Sequence, residues 1–266
     1  LINNDAILVS KYKNTGDTNK LFLFTNNGLV FSDLISNIKE TKEHGLGSLI
    51  SKKYDPSKYQ VVGSLAGKES TANYVVCITK NGIIKTSKFS DYFISSQGSY
   101  GIKLAKNDEL VTVLELTQSD MRSSKVLVYT KNGKCAIFQP NDPTSRFTMG
   151  STGIKLEEGD YVIGADIVKS NDVYMVTISE SGHVKKFSLE NSFNNMKRGS
   201  YGISVISSDE SIYKVTTVND KTTKIYLVSL QGVEEIDLAV LSPKTRLSNG
   251  DKLLKGRRKN ELVLKQ

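Results

Sequence analysis

Basic side chains recur at two kinds of position along this chain, and the chemistry they offer is attraction of phosphate or another anion. Five lysines lie just after turns that are tipped by glycine: Lys85, Lys88, Lys134, Lys185 and Lys186. Five more basic residues lie beside small Gly-Ser clusters: Lys103, Arg146, Lys155, Lys197 and Arg198. With a formal net charge of +8, this pattern favours a polyanion such as nucleic acid. Lysines scattered over the surface are the alternative explanation.

Residues that could hold a metal or act as a nucleophile are few. The chain has two histidines, His44 and His183, and two cysteines, Cys77 and Cys135, with no HxxxH, CxxC or HExxH spacing. We therefore expect no zinc site, no other metal and no cofactor. Two isolated histidines also argue against a catalytic triad. Both cysteines lie in apolar runs, and we expect them to be buried small side chains.

Carboxylates and glycine clusters offer no stronger case for catalysis. Acidic residues such as Asp108, Asp160 and Glu210 recur at equivalent turns, which predicts the solvated ends of strands. A glycosidase pair stays open as an alternative, although nothing singles out two partners. The glycine clusters lack the GxxxxGK[ST] and GxGxxG patterns of phosphate-binding loops. They are better interpreted as structural glycines that let a loop pass close to its neighbour.

The whole sequence is a repeat of about 50 residues. Five apolar runs each end in a turn tipped by glycine, at Gly28, Gly82, Gly133, Gly182 and Gly232, which by subtraction lie 54, 51, 49 and 50 residues apart. A second small-residue cluster follows in each unit: "GLGS" (45–48), "GSYG" (98–101), "GSTG" (150–153), "GSYG" (199–202) and a degenerate "SNG" (248–250). A charged turn and a further apolar run complete each unit.

The runs are rich in Val, Ile, Tyr, Phe and Thr, which predicts β-strands joined by tight turns. Units of this size match propeller blades. We therefore predict an all-β, propeller-like single domain of about five four-stranded blades, over 5–65, 66–116, 117–168, 169–218 and 219–266. The stretches 33–43 and 188–197 are interpreted as loops. No apolar run is long enough for a membrane helix, and the start at Leu1 without a secretory signal is typical of a fragment.

Two copies of the repeat carry a family resemblance: "VCITKNGIIKTSKFSDYFISSQGSYGIKLAKNDELVTV" (76–113) and "VTISESGHVKKFSLENSFNNMKRGSYGISVISSDESIYKV" (176–215). An apolar strand, an [ST]-x-x-G turn, a basic strand and a GSxGI cluster follow one another in fixed order. This order resembles the repeat in the C-terminal domain of bacterial type IIA topoisomerase A-subunits, those of gyrase and topoisomerase IV. The resemblance extends from about residue 5 to about residue 255.

That resemblance implies a β-pinwheel, in which neighbouring blades exchange a strand. It implies a basic rim that bends or wraps duplex DNA and presents it to the catalytic core of the same polypeptide. The ten basic residues named above are then the expected DNA contacts. The domain itself is expected to be non-catalytic, because the family's catalytic tyrosine lies in an N-terminal part. The parent is expected to be a bacterial, cytoplasmic, nucleoid-associated heterotetramer that includes an ATPase subunit, without membrane contact.

One departure from the family concerns the gyrase box, Q-R-R-G-G-(R/K)-G. At the corresponding place, "KETKEHGLGS" (39–48), this chain has a Gly-x-Gly but no paired arginines. The departure favours a topoisomerase IV-like parent over a gyrase. Outside this family, a protein-interaction propeller of the kelch or WD type is the alternative, although the chain has no Trp. A propeller hydrolase ranks last.

Overall fold

The computed structural model describes residues 19–42, 54–93, 97–190, 193, 196–207, 209–229, 232–255 and 262–265. In chain order its strands are β1 (Lys20–Thr25), β2 (Leu29–Leu34), β3 (Val61–Gly67), β4 (Tyr74–Thr79), β5 (Ile83–Lys88), β6 (Gln97–Tyr100), β7 (Leu110–Leu116), β8 (Lys125–Thr130), β9 (Lys134–Phe138), β10 (Ser151–Thr152), β11 (Val162–Val168), β12 (Tyr174–Ser179), β13 (His183–Ser188), β14 (Ile203–Ser204), β15 (Ile212–Val218), β16 (Lys224–Ser229), β17 (Gly232–Asp237), β18 (Asp251–Lys252) and β19 (Leu262–Lys265). Its helices are the 3-10 turns Ile35–Asn37 and Phe89–Tyr92 and the short α1 (Asp120–Ser123).

The strands form five antiparallel sheets, and most of these sheets are completed by a strand from further along the chain. The orders are β3-β1-β2-β6, β10-β5-β4-β7, β11-β8-β9-β14, β15-β12-β13-β18 and β17-β16-β19. In the first four sheets three strands come from one repeat unit, and the fourth is donated by the next unit. The predicted all-β, pinwheel-like architecture is therefore confirmed. The fifth sheet has three strands in the described residues.

The hairpin turns explain why Ser or Thr stands three residues before each turn glycine. Thr79 illustrates the arrangement: its carbonyl oxygen accepts from the Gly82 amide at 3.0 Å, and its hydroxyl accepts from the Ile83 amide at 3.2 Å. Ser179, Gly182 and His183 repeat the pattern. Gly82 has φ +81°, a conformation that a side chain disfavours.

The long apolar runs reflect strands that are buried on both faces. Along β4, Val75 and Cys77 pack toward the first sheet, whereas Val76 and Ile78 pack toward the third. The same alternation recurs along β8 and β12, so that the core is a series of apolar layers between successive sheets. Both cysteines are buried and free, as predicted, and burial raises the pKa of the Cys77 thiol.

The last strand that each repeat unit contributes to its own sheet contacts its counterpart in the next sheet: β3 contacts β7, β7 contacts β11, and β11 contacts β15. They lie on the shared inner side of these sheets, and the donated strands therefore occupy the opposite, outer edge. The interpretation of 33–43 as a loop misses the end of β2 and one 3-10 turn, and the described part of 188–197 contains no helix. No helix in the described ranges is long and apolar enough to cross a bilayer.

Candidate nucleic-acid interface

The glycine clusters attach each donated strand to the hairpin turn of the preceding repeat unit. The amide of Gly101 donates to the carbonyl oxygen of Gly28 at 2.8 Å, and Gly153 donates to Gly82 at 2.8 Å. A Cβ on Gly101 would lie 2.5 Å from Val30 Cγ2. These contacts confirm the interpretation of the clusters at 98–101 and 150–153 as structural glycines, because these amides face protein rather than a ligand; the cluster at 45–48 lies outside the described residues.

We name the donated strands and their flanking residues the edge segments: 97–103, 143–155, 197–204 and 243–254. Each contains one donated strand, β6, β10, β14 or β18. Five of the ten predicted contacts belong to these segments, and the other five lie on β5, β9 and β13.

Lys85 lies inside the protein rather than on its surface. Its side chain is 0% exposed, and its ammonium donates to the carbonyl oxygens of Gly101 at 2.6 Å and Arg146 at 2.7 Å. Its cross-strand partner is Cys77, on the face that packs against the first sheet. Burial lowers the pKa of Lys85 to about 8. The expectation that Lys85 contacts DNA is therefore not retained.

Lys185 repeats this arrangement two units later. It is 2% exposed, and its ammonium donates to the carbonyl oxygens of Val205 at 2.9 Å, Arg246 at 2.7 Å and Ser248 at 2.8 Å. Burial lowers its pKa to about 8, and the neighbouring Arg246 acts in the same direction. Three carbonyl partners satisfy all three N–H donors of the ammonium, so that Lys185 joins the fourth edge segment to Val205, which directly follows the third, and cannot also reach a phosphate.

Arg146 is the third predicted contact that the fold uses internally. It is largely buried, and its guanidinium donates to the carbonyl oxygen of Tyr100 at 2.7 Å. Arg246 makes the equivalent bond to Ser204. Sequence reasoning overlooked Arg246, although "PTSRFTMG" (143–150) and "PKTRLSNG" (243–250) share the pattern P-x-[ST]-R-x-[ST]-x-G. That repeat was the available signal for both arginines.

Two of the remaining residues are half-buried and have partners. Lys134 forms an ion pair of 3.0 Å with Glu157, and Lys186 donates to the carbonyl oxygen of Leu238 at 2.8 Å. The other five are exposed or half-exposed and form no ion pair with a described residue: Lys88, Lys103, Lys155, Lys197 and Arg198.

The structure brings three of these five together. The Lys155 amide donates to the carbonyl oxygen of Ser200 at 2.8 Å, which places Lys155 against the segment that begins with Lys197 and Arg198. We call the place where two successive edge segments meet a junction. Lys103 lies at the first junction, between segments 97–103 and 143–155, where its amide donates to the carbonyl oxygen of Thr148 at 3.2 Å. Lys88 stands apart from these residues, at the end of β5.

Several lysines around the hairpin turns form ion pairs, in contrast to Lys155, Lys197 and Arg198. Lys80 pairs with Glu109 at 3.5 Å, and Lys131 pairs with Glu180. In the last sheet, Lys224 pairs with Glu235 at 2.7 Å. Charges that are already paired within the protein contribute little attraction to an external anion. Among the described residues, Lys155, Lys197 and Arg198 form a group of unpaired cations where the second and third edge segments meet, whereas other unpaired lysines, such as Lys68 and Lys221, lie on separate exposed turns.

The turn carboxylates have a structural task that sequence reasoning misjudged. Asp108 is buried and accepts from the Asn81 amide at 2.9 Å, and Asp160 is buried and accepts from the Asn132 amide at 3.1 Å. The interpretation of these two acids as solvated strand ends is wrong, because both fix the neighbouring hairpin turn. They are not free to serve as a glycosidase pair.

The one cluster that resembles a triad in the described part of the chain also lacks the required geometry. His183 Nδ1 lies 2.8 Å from the Ser181 hydroxyl and 2.9 Å from Glu210, so that a single ring nitrogen faces both partners. A triad needs the serine and the acid on opposite nitrogens. In the described residues, no group of three or more His, Cys, Asp or Glu side chains is placed to hold a metal ion.

Comparison with known proteins decides the family. The family model of the DNA gyrase C-terminal domain, beta-propeller, matches residues 73–116, 125–169 and 174–229, which is more than half of the chain. The chain belongs to this family. The DNA gyrase A-subunit from Staphylococcus aureus (strain NCTC 8325 / PS 47) is 26% identical over 246 residues, which cover 88% of this chain. The same alignment covers 27% of that relative, so the chain spans about a quarter of its length.

Solved structures share the fold of this gyrase C-terminal family member. The C-terminal domain of DNA topoisomerase IV superposes with a TM-score of 0.79 at 23% identity, covering 94% of this chain and 79% of that one. The DNA gyrase A C-terminal domain gives 0.71 at 22% identity, covering 96% and 87%. The E. coli ParC C-terminal domain gives 0.62 at 14% identity, covering 94% and 99%.

Proposed function

We propose that this domain binds duplex DNA without sequence preference along the edge segments and bends it. One observation carries the proposal: lysines near the hairpin turns are paired with acids, whereas Lys155, Lys197 and Arg198 meet at one junction without an ion pair to a described residue. Unpaired cations on an outer edge neutralise phosphates along a bent duplex. Phosphate contacts position DNA but carry no sequence information, and hence binding is independent of sequence.

The domain acts on behalf of a larger enzyme. We propose that its parent is an ATP-dependent type IIA DNA topoisomerase, in which the bent duplex is handed to the catalytic core of the same polypeptide. The parent works in the bacterial cytoplasm on nucleoid DNA, as a heterotetramer that includes an ATPase subunit. Support comes from the family membership and from the alignment with the gyrase A-subunit.

We further propose a topoisomerase IV-like parent, with DNA bent rather than wrapped tightly. The support is the absence of paired arginines in "KETKEHGLGS" (39–48); residues 43–48 of this stretch lie outside the described ones. Ligation of nicked circular DNA in the presence of the domain distinguishes the two. Little change in linking number is expected, and a large shift that grows with the amount of bound protein would indicate gyrase-like wrapping.

DNA binding itself is tested by fluorescence anisotropy with a labelled duplex over a range of salt concentrations. The logarithm of affinity should fall linearly with the logarithm of salt, by about 0.9 for each phosphate neutralised. The triple variant Lys155→Glu, Lys197→Glu and Arg198→Glu should bind more weakly and with a shallower slope. The matched control carries the same change in charge at exposed positions outside the edge segments: Lys68→Glu, Lys106→Glu and Lys221→Glu.

Two results would overturn the proposal. The first is absence of duplex binding at low salt. The second is an equal loss of affinity in both triple variants, which would show that total charge, rather than the edge, attracts the DNA.

A further inference from the structure

Large apolar side chains are exposed mainly on the edge segments. Among the described residues, nine large hydrophobic side chains are exposed, and six of them belong to these segments: Tyr100, Phe147, Met149, Tyr201, Leu247 and Leu253. The three aromatic rings are 56%, 56% and 55% exposed respectively. Single exposed apolar residues are ordinary, but a concentration of them on one surface marks a contact site.

Cations lie over two of the three rings, those of Phe147 and Tyr201. At the first junction, the Arg146 guanidinium carbon lies 4.2 Å from the centroid of the Phe147 ring, and the same side chain donates to the carbonyl oxygen of Tyr100. Lys103 contacts the backbone of this segment at Thr148. The exposed Lys103 therefore places Tyr100, in its own edge segment, and Phe147, in the segment it contacts, on a part of the surface that a phosphate backbone would approach.

The second junction has the same composition. Lys155 Nζ lies 5.8 Å from the centroid of the Tyr201 ring, and Lys197 and Arg198 precede that ring in the same edge segment. Tyr100 and Tyr201 occupy the same position in their clusters, as the third residue of GSYG. The arrangement is thus a repeated feature of the edge.

A ligand for this surface needs regularly spaced negative charge with apolar surface between the charges. Duplex DNA has both, since deoxyribose and base edges lie between the phosphates in the minor groove. In a duplex that is bent around a protein, the minor groove faces the protein once per helical turn, and side chains at that point can contact the sugars and base edges of the bent form. Single strands fit less well: adjacent sheets pack about 10 Å apart, whereas stacking of successive bases needs rings much closer together.

We infer that Tyr100, Phe147 and Tyr201 contact the minor groove of the bound duplex and hold it in the bent form. The inference rests on the proposed function, because the cations of the edge must first recruit the DNA. It assigns the two tasks to different side chains: the lysines and Arg198 attract the duplex, and the aromatic rings set its curvature.

The test compares bending with binding in one triple variant, Tyr100→Ser, Phe147→Ser and Tyr201→Ser. Bending is measured by energy transfer between dyes at the two ends of a short duplex, and binding by anisotropy. The variant should lose most of the protein-induced change in energy transfer. Its affinity for linear duplex should fall by about tenfold or less, and its salt slope should stay that of the unaltered domain, because no phosphate contact is removed.

A matched control removes three exposed hydrophobic side chains outside the edge segments: Tyr161→Ser, Val233→Ser and Val240→Ser. This variant should bend DNA as the unaltered domain does. Circular dichroism and thermal unfolding of both variants should show that the fold persists, as expected for substitutions at exposed side chains.

The outcomes separate this inference from the proposed function. If the unaltered domain does not bind duplex, the proposed function fails and the inference fails with it. If the domain binds and the lysine variants weaken binding, but the aromatic variant still bends fully, only the inference is overturned. Tighter binding of single strands than of duplex would also overturn it, in favour of rings that stack on bases.

Discussion

Lys85 donates a hydrogen bond of 2.7 Å to the carbonyl oxygen of Arg146, a residue 61 positions further along the chain. Lys185 and Arg246 are joined by the same bond, at the same length and the same separation in sequence. In both cases the arginine donates to the last residue of the preceding donated strand, Tyr100 of β6 or Ser204 of β14. Buried basic pairs therefore connect the first sheet with the second and the third with the fourth.

Replacing either buried lysine should destabilise the domain. Lys85→Met leaves the carbonyl oxygens of Gly101 and Arg146 with fewer donors in a buried site, and Lys185→Met does the same to three carbonyls. Each should lower the free energy of unfolding by about 2–4 kcal/mol, as measured by urea denaturation. Lys88→Met, on the exposed end of the same strand, is the control and should change stability by about 0.5 kcal/mol or less. Equal effects of Lys85→Met and Lys88→Met would contradict the assignment.

The buried ammonium of Lys85 should also give stability a distinctive dependence on pH. Its pKa is about 8 in the folded domain, and the ordinary value of 10.5 applies when the chain unfolds. Between these values the unfolded state binds more protons, so the contribution of Lys85 to the free energy of unfolding rises with pH. The buried Cys77 and Tyr92 have raised pKa values and act in the opposite direction. The quantity to measure is therefore the stability difference between the unaltered domain and Lys85→Met, which should grow from about pH 8 to about pH 10. A difference that shrinks over this range would refute the prediction.

The energetic cost of disturbing a contact between repeat units can be measured by comparing two glycines of nearly equal backbone conformation. Gly82 has φ +81° and Gly159 has φ +79°. A Cβ on Gly82 would collide with the carbonyl oxygen of Ile154 in the next unit, whereas a Cβ on Gly159 would meet no atom within 4 Å. Gly159→Ala should cost about 1–2 kcal/mol of backbone strain, and Gly82→Ala should cost more. Thermal unfolding of the two variants provides the comparison. Equal melting temperatures would contradict the prediction and show that the backbone near Ile154 shifts at little cost to relieve the collision.

Affinity for DNA should increase when Lys134 is released from its ion pair. Glu157→Gln removes the partner that lies 3.0 Å from Lys134 Nζ and also removes one negative charge near the edge. We expect duplex affinity at low salt to rise by about two- to fivefold and the salt dependence to become steeper. Glu69→Gln, at an exposed turn outside the edge segments, serves as the control. The same rise in both variants would assign the effect to net charge alone.

Much of the fold could be predicted from the sequence because the same pattern of residues recurs in five units. The [ST]-x-x-G turns predict the hairpins, and the apolar runs on either side predict strands that the structure confirms. Strand exchange was implied only by the family resemblance. The donated strands β10, β14 and β18 are two residues long, too short for any periodicity to reveal their partner.

Which basic side chains are exposed was harder to predict from the sequence than where the strands lie. On a strand with one buried face, alternation predicts which lysine is exposed, but β5 and β13 are buried on both faces. Lys85 and Lys185 therefore occupy positions that look like any other basic residue in the repeat. Their burial depends on carbonyl oxygens supplied by Arg146 and Arg246, each 61 residues away, and pattern analysis along one strand cannot detect such partners.

Because each of the first four sheets is completed by residues from the following unit, the repeat in sequence and the sheet in space are out of phase. A single copy of the repeat unit would contain one strand with no sheet to join and one sheet with an unpaired edge strand. Lineages of such domains can therefore gain or lose a unit most readily between two existing ones, where a neighbour on each side accepts the exchange, and least readily at a terminus.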